Sequence, residues 1–236
     1  MTTLTATALL LDLDGTLLDS TAAVEAAWLR FAVRSAVPAE RVRPLMHGIP
    51  AWQVIEQIRP GLAVGERTAL AEQALADMAR PDAPVVWLPG ARSLVAALTA
   101  AGAAWAVVTS GNTLLATSSM RKAGMAPPPV LVTSDDVTIG KPEPEPYLRA
   151  AALLGVAPVD CVVIEDAPAG VTAGLAAGMR LIAVTHTYPA DVLAHATLVV
   201  DALPEVVVDP ATRRLTLRIE GSATAPGENT PPPPAP

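Results

Sequence analysis

The chain has 236 residues, a formal net charge of −7 and a sequence pI near 4.9, a balance that argues against nucleic acid or anionic membranes as partners. Apolar residues make up 51% and charged residues 17%, enough to bury a sizeable core in one large domain or a domain plus an insert. The single cysteine, Cys161, excludes an internal disulfide, no apolar run reaches spanning length, and no basic start precedes the first one, so the expectation is a soluble, cytoplasmic protein.

The first element is the run LLLDLDGTLLDS at 9–20, which ends in two carboxylates one residue apart. In a β-strand side chains alternate with period two, so Asp12 and Asp14 are expected on the same side. Like charges that close cost free energy unless a cation or a shared proton relieves them. A strand that delivers such a pair to its C-terminal end marks a candidate site. One Asp could attack, the other could handle a proton, and a divalent metal could neutralise both.

From 19 to 86 no convincing strand follows. TAAVEAAWLRFAVRSA, PAERVRPLMHG, AWQVIEQI and GERTALAEQALADMA place apolar residues at helical spacing between Pro and Gly breaks. An all-helical insert directly after the first strand reads as a small lid on two hinges, with Trp28 and Trp52 in its core or lining its cavity.

The chain rejoins near VVWLPGARSLVAAL. Apolar runs then recur as AWAVVTS (104–110), VLVTS (130–134), CVVIED (161–166), LIAVT (181–185) and, more weakly, TLVVD (197–201). Strands alternating with helices predict an α/β fold, a doubly wound Rossmann-like parallel sheet with an inserted all-helical cap. The working residues of such sheets gather beyond the C-terminal strand ends, where Asp12, Thr109, Ser134, Glu165 and Asp166 fall. The expected division is a catalytic core of 1–18 and 87–221, a cap of 19–86 and a Pro-rich tail of 222–236 too poor in apolar residues to order itself. Within the core, RRLTLRIEG at 213–221 reads as a last edge strand, and Cys161, before VVI, as a small buried thiol.

Three further constellations carry possible chemistry. Thr109-Ser110 ends a strand before Gly111-Asn112 and a helix, a pattern that suits either a phosphate cradle or a helix cap by Ser110 or Asn112. Lys141 stands between Gly140 and Pro142, which stiffens its place in the chain; it reads as a cation reaching inward to paired carboxylates, or as a surface lysine among Glu143 and Glu145. Glu165-Asp166 closes the strand CVVI and opens a helix with Gly170, Gly174 and Gly178 spaced by four, which lets the helix lie close to the sheet. Hard oxygen ligands with room left for water suit Mg²⁺.

In order, DLDGT at 12–16, VVTSG at 107–111, GKP at 140–142 and ED at 165–166 resemble the four motifs of the haloacid-dehalogenase superfamily, in its branch of phosphatases with a helical cap. The resemblance covers roughly residues 7 to 200, and the wording TSGN, GKPEPEPYL and EDAPAGVTAGLAAGM is most similar to phosphatases of small sugar and polyol phosphates. It implies that Asp12 is a nucleophile forming an aspartyl-phosphate and that Asp14 is the general acid and base. It also implies phosphate binding by Thr109, Ser110 and Lys141, and Mg²⁺ held by Asp12, the Asp14 main-chain carbonyl, Glu165 and Asp166. Gly15 would permit a sharp turn after Asp14, and Thr16 would hold the loop. In the cap, His47-Gly48 resembles a His-Gly element of this subgroup, which makes His47 a candidate substrate contact; where many relatives carry a following arginine, this chain has Ile49, with Arg43 one turn upstream. The implied partner is a small phosphorylated metabolite, with no nucleic acid, no membrane and a monomer or weak homo-oligomer.

Three alternatives stand beside this reading. A β-phosphoglucomutase-like enzyme would need a cap histidine, and Val24 stands at the expected place. A haloacid dehalogenase would need neither Asp14 nor a metal pair. A non-catalytic binding protein on the same fold would be expected to lack one of the charged motif residues.

Overall fold

A computed structural model describes residues 2–46 and 51–219. His47, Ile49 and the tail at 222–236 lie outside the described residues.

In chain order, the first half holds β1 (Thr2–Ala6), β2 (Ala8–Leu11), β3 (Leu18–Asp19), α1 (Thr21–Arg34), α2 (Ala39–Val42), α3 (Ala51–Ile58), α4 (Val64–Met78) and β4 (Val86–Trp87). There follow α5 (Ala91–Ala100), β5 (Ala104–Val108), α6 (Thr113–Lys122), β6 (Val130–Val132), α7 (Glu145–Leu154), β7 (Cys161–Glu165), α8 (Pro168–Ala176) and β8 (Arg180–Val184). The last strands are β9 (Leu198–Val200), β10 (Glu205–Val208) and β11 (Leu215–Ile219).

Six strands form one parallel sheet in the order β6-β5-β2-β7-β8-β9. Its strands are apolar on both faces because helices cover both. Leu9 and Leu11 of β2 point to one side, where they join Leu94 and Leu98 of α5 and Met120 of α6. Ala8 and Leu10 point to the other, against Tyr147 and Ala150 of α7 and Val171 of α8. The chain steps outward from β2 to β5 and β6 and then returns to β7, so β2 lies at the switch point where an open α/β sheet has its crevice.

A second sheet, β1-β11-β10, is antiparallel, with Thr2 opposite Ile219 and Glu205 opposite Arg218. The segment expected as an edge strand is therefore the middle strand of this sheet. Leu215, Leu217 and Ile219 alternate into the core, so the strand itself was legible. Its neighbours were not, because TTLTA is mostly exposed and EVVV is short.

The helices α1 to α4 have an apolar cluster of their own, in which Trp28 meets Phe31 edge-on at 5.4 Å between ring centroids. Trp28 is buried in this helical cluster as expected; Trp52 is not. Helix α3 turns Val54, Ile55 and Ile58 inward, and Trp52, on the opposite face, remains 47% exposed.

The interval of helices α1 to α4 is joined to the rest of the chain by a ribbon. Leu18 pairs with Trp87 and Asp19 with Val86, and Leu88 N donates to the Leu17 carbonyl at 2.9 Å. Short strands thus stand at both ends of an interval read as free of strand, and the expected boundaries at 18/19 and 86/87 cut through this ribbon. A second attachment lies at the end of α4, where Ser118 Oγ donates to the Ala79 carbonyl (2.6 Å) and Lys122 Nζ to that of Met78 (2.8 Å).

Candidate active site

Strand β2 ends at Leu11, but Asp12 N still donates to the Ile164 carbonyl at 3.0 Å, which holds the buried Asp12 in line with the central ladder. Asp14 lies past the strand's end, half-buried, in a bridge with Leu18. Strand alternation therefore does not set its direction. The turn at Gly15 does: its φ is +90°, and its N–H donates to the Leu18 carbonyl at 2.8 Å. A Cβ at Gly15 would also stand 2.0 Å from Asp166 Oδ2, so glycine is required here on two counts. Thr16 Oγ1 donates to Asp166 Oδ1 at 3.2 Å and ties the loop to the end of β7, as expected of it.

Lys141 is the other half of the centre. Its ammonium is 3% exposed and donates to Asp12 Oδ1 (2.6 Å), Glu165 Oε1 (2.6 Å) and the Val108 carbonyl (2.9 Å). All three protons have acceptors, so the cation is fixed beside Asp12. The surface-lysine alternative fails. The loop that carries Lys141 is itself held, because Thr138 N and Ile139 N donate to the carboxylate of Glu145 at the start of α7.

Glu165 is filled with donors. Besides Lys141, Oε1 accepts from Tyr147 Oη (2.8 Å), while Oε2 accepts from Asp166 N (3.0 Å) and Ala167 N (3.1 Å). Gly170 of α8 makes room for this carboxylate: a Cβ there would stand 1.7 Å from Glu165 Oε1. Gly174 in turn sits against Leu181 of β8, but Gly178 serves a different purpose, at φ +74° in the turn after the helix. Tyr147, whose ring also lies 5.0 Å from Lys141 Nζ, was missed in the sequence. Its signal was an aromatic residue within GKPEPEPYL, in a chain with only two tyrosines.

Thr109 follows β5, is buried, and accepts from Gly111 N through Oγ1 at 3.0 Å, which leaves its hydroxyl proton free to donate. Ser110 is exposed. The cap of α6 is Asn112, whose Oδ1 accepts from Leu115 N at 2.9 Å.

The electrostatics follow from burial. Burial and the charges of Glu165 and Asp166 push the Asp12 carboxyl well above the usual carboxylate range, with Lys141 opposing. Burial also raises Asp14, and burial with the Glu165 charge pushes Asp166 up to about 7. Burial alone would lower Lys141, but Asp12 and Glu165 outweigh it and hold the ammonium above its ordinary value.

One oxygen from each of Asp12, Glu165 and Asp166 lies within 4.8 Å of the others, so three buried carboxylates face one ammonium. Such a group lacks positive charge, and its hard oxygens fit a divalent cation. Asp12 Oδ2 has no protein partner among the described residues, whereas both oxygens of Glu165 are taken.

A cleft of about 340 Å³ opens beside this centre. Asp14, Asp19 and Val24 line it on the side of the cap ribbon and α1. His186, Thr187 and Tyr188, in the loop after β8, line it beside Gly15. This wall too went unseen in the sequence, because a lone histidine after a strand carries no pattern and only the sheet order brings it to the site. Arg43 is exposed and is not part of the lining.

Residues 6–178 match the haloacid dehalogenase-like hydrolase family. The chain belongs to this family. Hexitol phosphatase A of Escherichia coli (strain K12) is 41% identical over 199 residues, 84% of this chain and 92% of that one. Glycerol-1-phosphate phosphohydrolase 2 of Saccharomyces cerevisiae (strain ATCC 204508 / S288c) is 35% identical over 196 residues, 79% and 77% of the two chains. Among solved structures, a hydrolase from Pseudomonas syringae superposes with a TM-score of 0.69 at 26% identity, covering 82% of this chain and 92% of that one. Membership in the haloacid dehalogenase-like hydrolases agrees with the order of the motifs, and the parallel sheet agrees with the expected Rossmann-like core.

Proposed function

We propose that the chain is a Mg²⁺-dependent phosphomonoesterase that hydrolyses small sugar or polyol phosphates through an aspartyl-phosphate. The observation that carries this reading is the buried Asp12 carboxylate, fixed at 2.6 Å from Lys141 at the switch point of the sheet. The names of the two phosphatase relatives support the substrate class.

Asp12 Oδ attacks phosphorus, and the bond from phosphorus to the leaving oxygen breaks. Asp14, whose affinity for a proton burial raises, gives a proton to the leaving alkoxide. It then takes a proton from the water that attacks the phosphorus of the acyl phosphate, releasing inorganic phosphate and restoring Asp12. Lys141 holds the attacking carboxylate and offsets charge on the phosphoryl oxygens beside it, and the Thr109 hydroxyl and nearby backbone N–H groups donate to those oxygens. Ser110 contributes at the mouth of this cradle. Asp12, the Asp14 carbonyl and Asp166 would hold Mg²⁺, with Glu165 reaching it through water because its own oxygens are occupied. The ion would supply charge neutralisation and orientation of the phosphate. Residues 19–86 would act as the lid over this centre and 1–18 with 87–221 as its base.

A mutase would need a proton relay from the cap, and the cleft there presents the carbon side chain of Val24. Phosphate release from sorbitol 6-phosphate, glycerol 1-phosphate and p-nitrophenyl phosphate, with Mg²⁺ and with chelator, tests the reading. Release that requires Mg²⁺, together with a Mg²⁺-induced rise in melting temperature that is lost in Asp166→Asn, is expected. Isomerised sugar phosphate as product, or no release from any substrate, would overturn it.

A further inference from the structure

We propose that His186 is a specificity-determining residue that accepts a hydroxyl of an uncharged, polyhydroxylated leaving group. The proposal rests on the phosphatase reading above and narrows its substrate class.

The tautomer of His186 is set by its neighbour. Nδ1 lies 3.3 Å from the Gly15 carbonyl, and a carbonyl can only accept, so Nδ1 carries the proton. In the neutral ring Nε2 is then an acceptor, on the side of the ring away from Gly15, with no protein partner among the described residues. The ring lines the cleft next to the loop that carries Asp12 and Asp14. A hydroxyl donor from the substrate would complete the hydrogen bonding of this nitrogen.

The rest of the cleft is consistent with such a guest. Its described lining contains no lysine or arginine, while Asp19 supplies a carboxylate. The hydroxyls of Ser20, Thr21 and Tyr188 offer further partners, and Val24 and Leu88 offer carbon surface. A second phosphate or a carboxylate on the leaving group would meet the Asp19 carboxylate with no lysine or arginine among the described lining to offset it. A chain of hydroxyls would meet acceptors and donors. A lysine or arginine lining this cleft would have reversed the preference.

The loop is built to keep the ring in place. Thr185 Oγ1 donates to Asp201 Oδ1 at 2.9 Å on one side of His186. On the other, Thr187 stands against Asp166, whose proton affinity its hydroxyl lowers, and against Gly15, where a Cβ would come within 2.6 Å of Oγ1. His186 is therefore held by the same loop that touches the turn carrying Asp14 and Gly15.

The test compares kcat/KM of the full chain with Mg²⁺ on sorbitol 6-phosphate, phosphoglycolate, fructose 1,6-bisphosphate and p-nitrophenyl phosphate. The wild type is expected to favour sorbitol 6-phosphate over both anionic leaving groups by about 10²-fold. His186→Phe should lose about tenfold more on sorbitol 6-phosphate than on p-nitrophenyl phosphate, which has no hydroxyl to offer, with the excess loss in KM. His186→Asn, which can donate to Gly15 and still present an oxygen, should regain part of that selectivity. Equal losses on the two substrates in both variants, or phosphoglycolate turned over as well as sorbitol 6-phosphate, would overturn the proposal while leaving the phosphatase reading intact. No phosphate release by the wild type from any of the four would overturn both.

Discussion

Lys141 Nζ lies 2.6 Å from Asp12 Oδ1 across 129 residues of chain, and neither side chain is more than 10% exposed. A buried pair of this kind is expensive to break, since removing one partner leaves the other charged and unpaired. Lys141→Met should therefore cost about 3–5 kcal/mol in denaturant unfolding. It should also reduce kcat by about 10²-fold or more, because the carboxylate proposed to attack loses both its anchor and its counter-charge. Wild-type stability together with wild-type turnover would show that the contact is incidental.

Tyr147 acts one step further out. Its hydroxyl donates to the same Glu165 oxygen that carries Lys141. Tyr147→Phe keeps the ring in the core but removes that donor, so kcat should fall about threefold to tenfold with KM little changed. A rise in KM with an unchanged kcat would argue that the tyrosine bears on binding instead.

Two glycines give opposite expectations for the same substitution. Gly170→Ala would drive a methyl into the Glu165 carboxylate and should destabilise the protein by about 1–3 kcal/mol, with a loss of activity. Gly65, in α4, meets nothing within 4 Å, and Gly65→Ala should stabilise by about 0.5–1 kcal/mol through helix propensity. Melting curves of the two variants decide the matter: an unchanged or raised melting temperature in Gly170→Ala would contradict the packing described for α8, and a lowered one in Gly65→Ala the open space at that residue.

Cys161 is buried at the start of β7, and burial, with Asp160 adjacent, pushes its thiol up to about 11. At pH 8 the native chain should react with iodoacetamide far more slowly than the same chain in denaturant. The unfolded thiol ionises near pH 9 and the folded one only near 11, so this residue contributes stability at lower pH that is lost as pH rises between those values. Rapid native alkylation at pH 8 would place the thiol at the surface.

The parallel sheet and most of the centre were legible because each rests on a local pattern. An apolar run of four or five residues ending in a charged or hydroxyl residue recurs at Asp12, Thr109 and Glu165, and a parallel sheet brings such ends together. What escaped depends on tertiary placement. Thr2–Ala6 becomes a strand only by pairing with Leu215–Ile219, more than two hundred residues on. Asp14 was assigned a direction by strand alternation, but the strand ends before it and the turn at Gly15 takes over. Tyr147 and His186 belong to the site through Glu165 and Gly15, contacts that no spacing in the chain reveals.

The covalent step is read most directly by quenching the enzyme in acid during turnover and mapping protein-bound phosphoryl groups by peptide mass spectrometry. An acid-stable, hydroxylamine-labile phosphoryl group on Asp12 is expected, formed and lost at the rate of turnover, and absent from an Asp12→Asn variant whose kcat falls by about 10³-fold or more while its fold is retained. Full turnover with no phosphoryl group on the protein at any time, or with one on a residue other than Asp12, would contradict it.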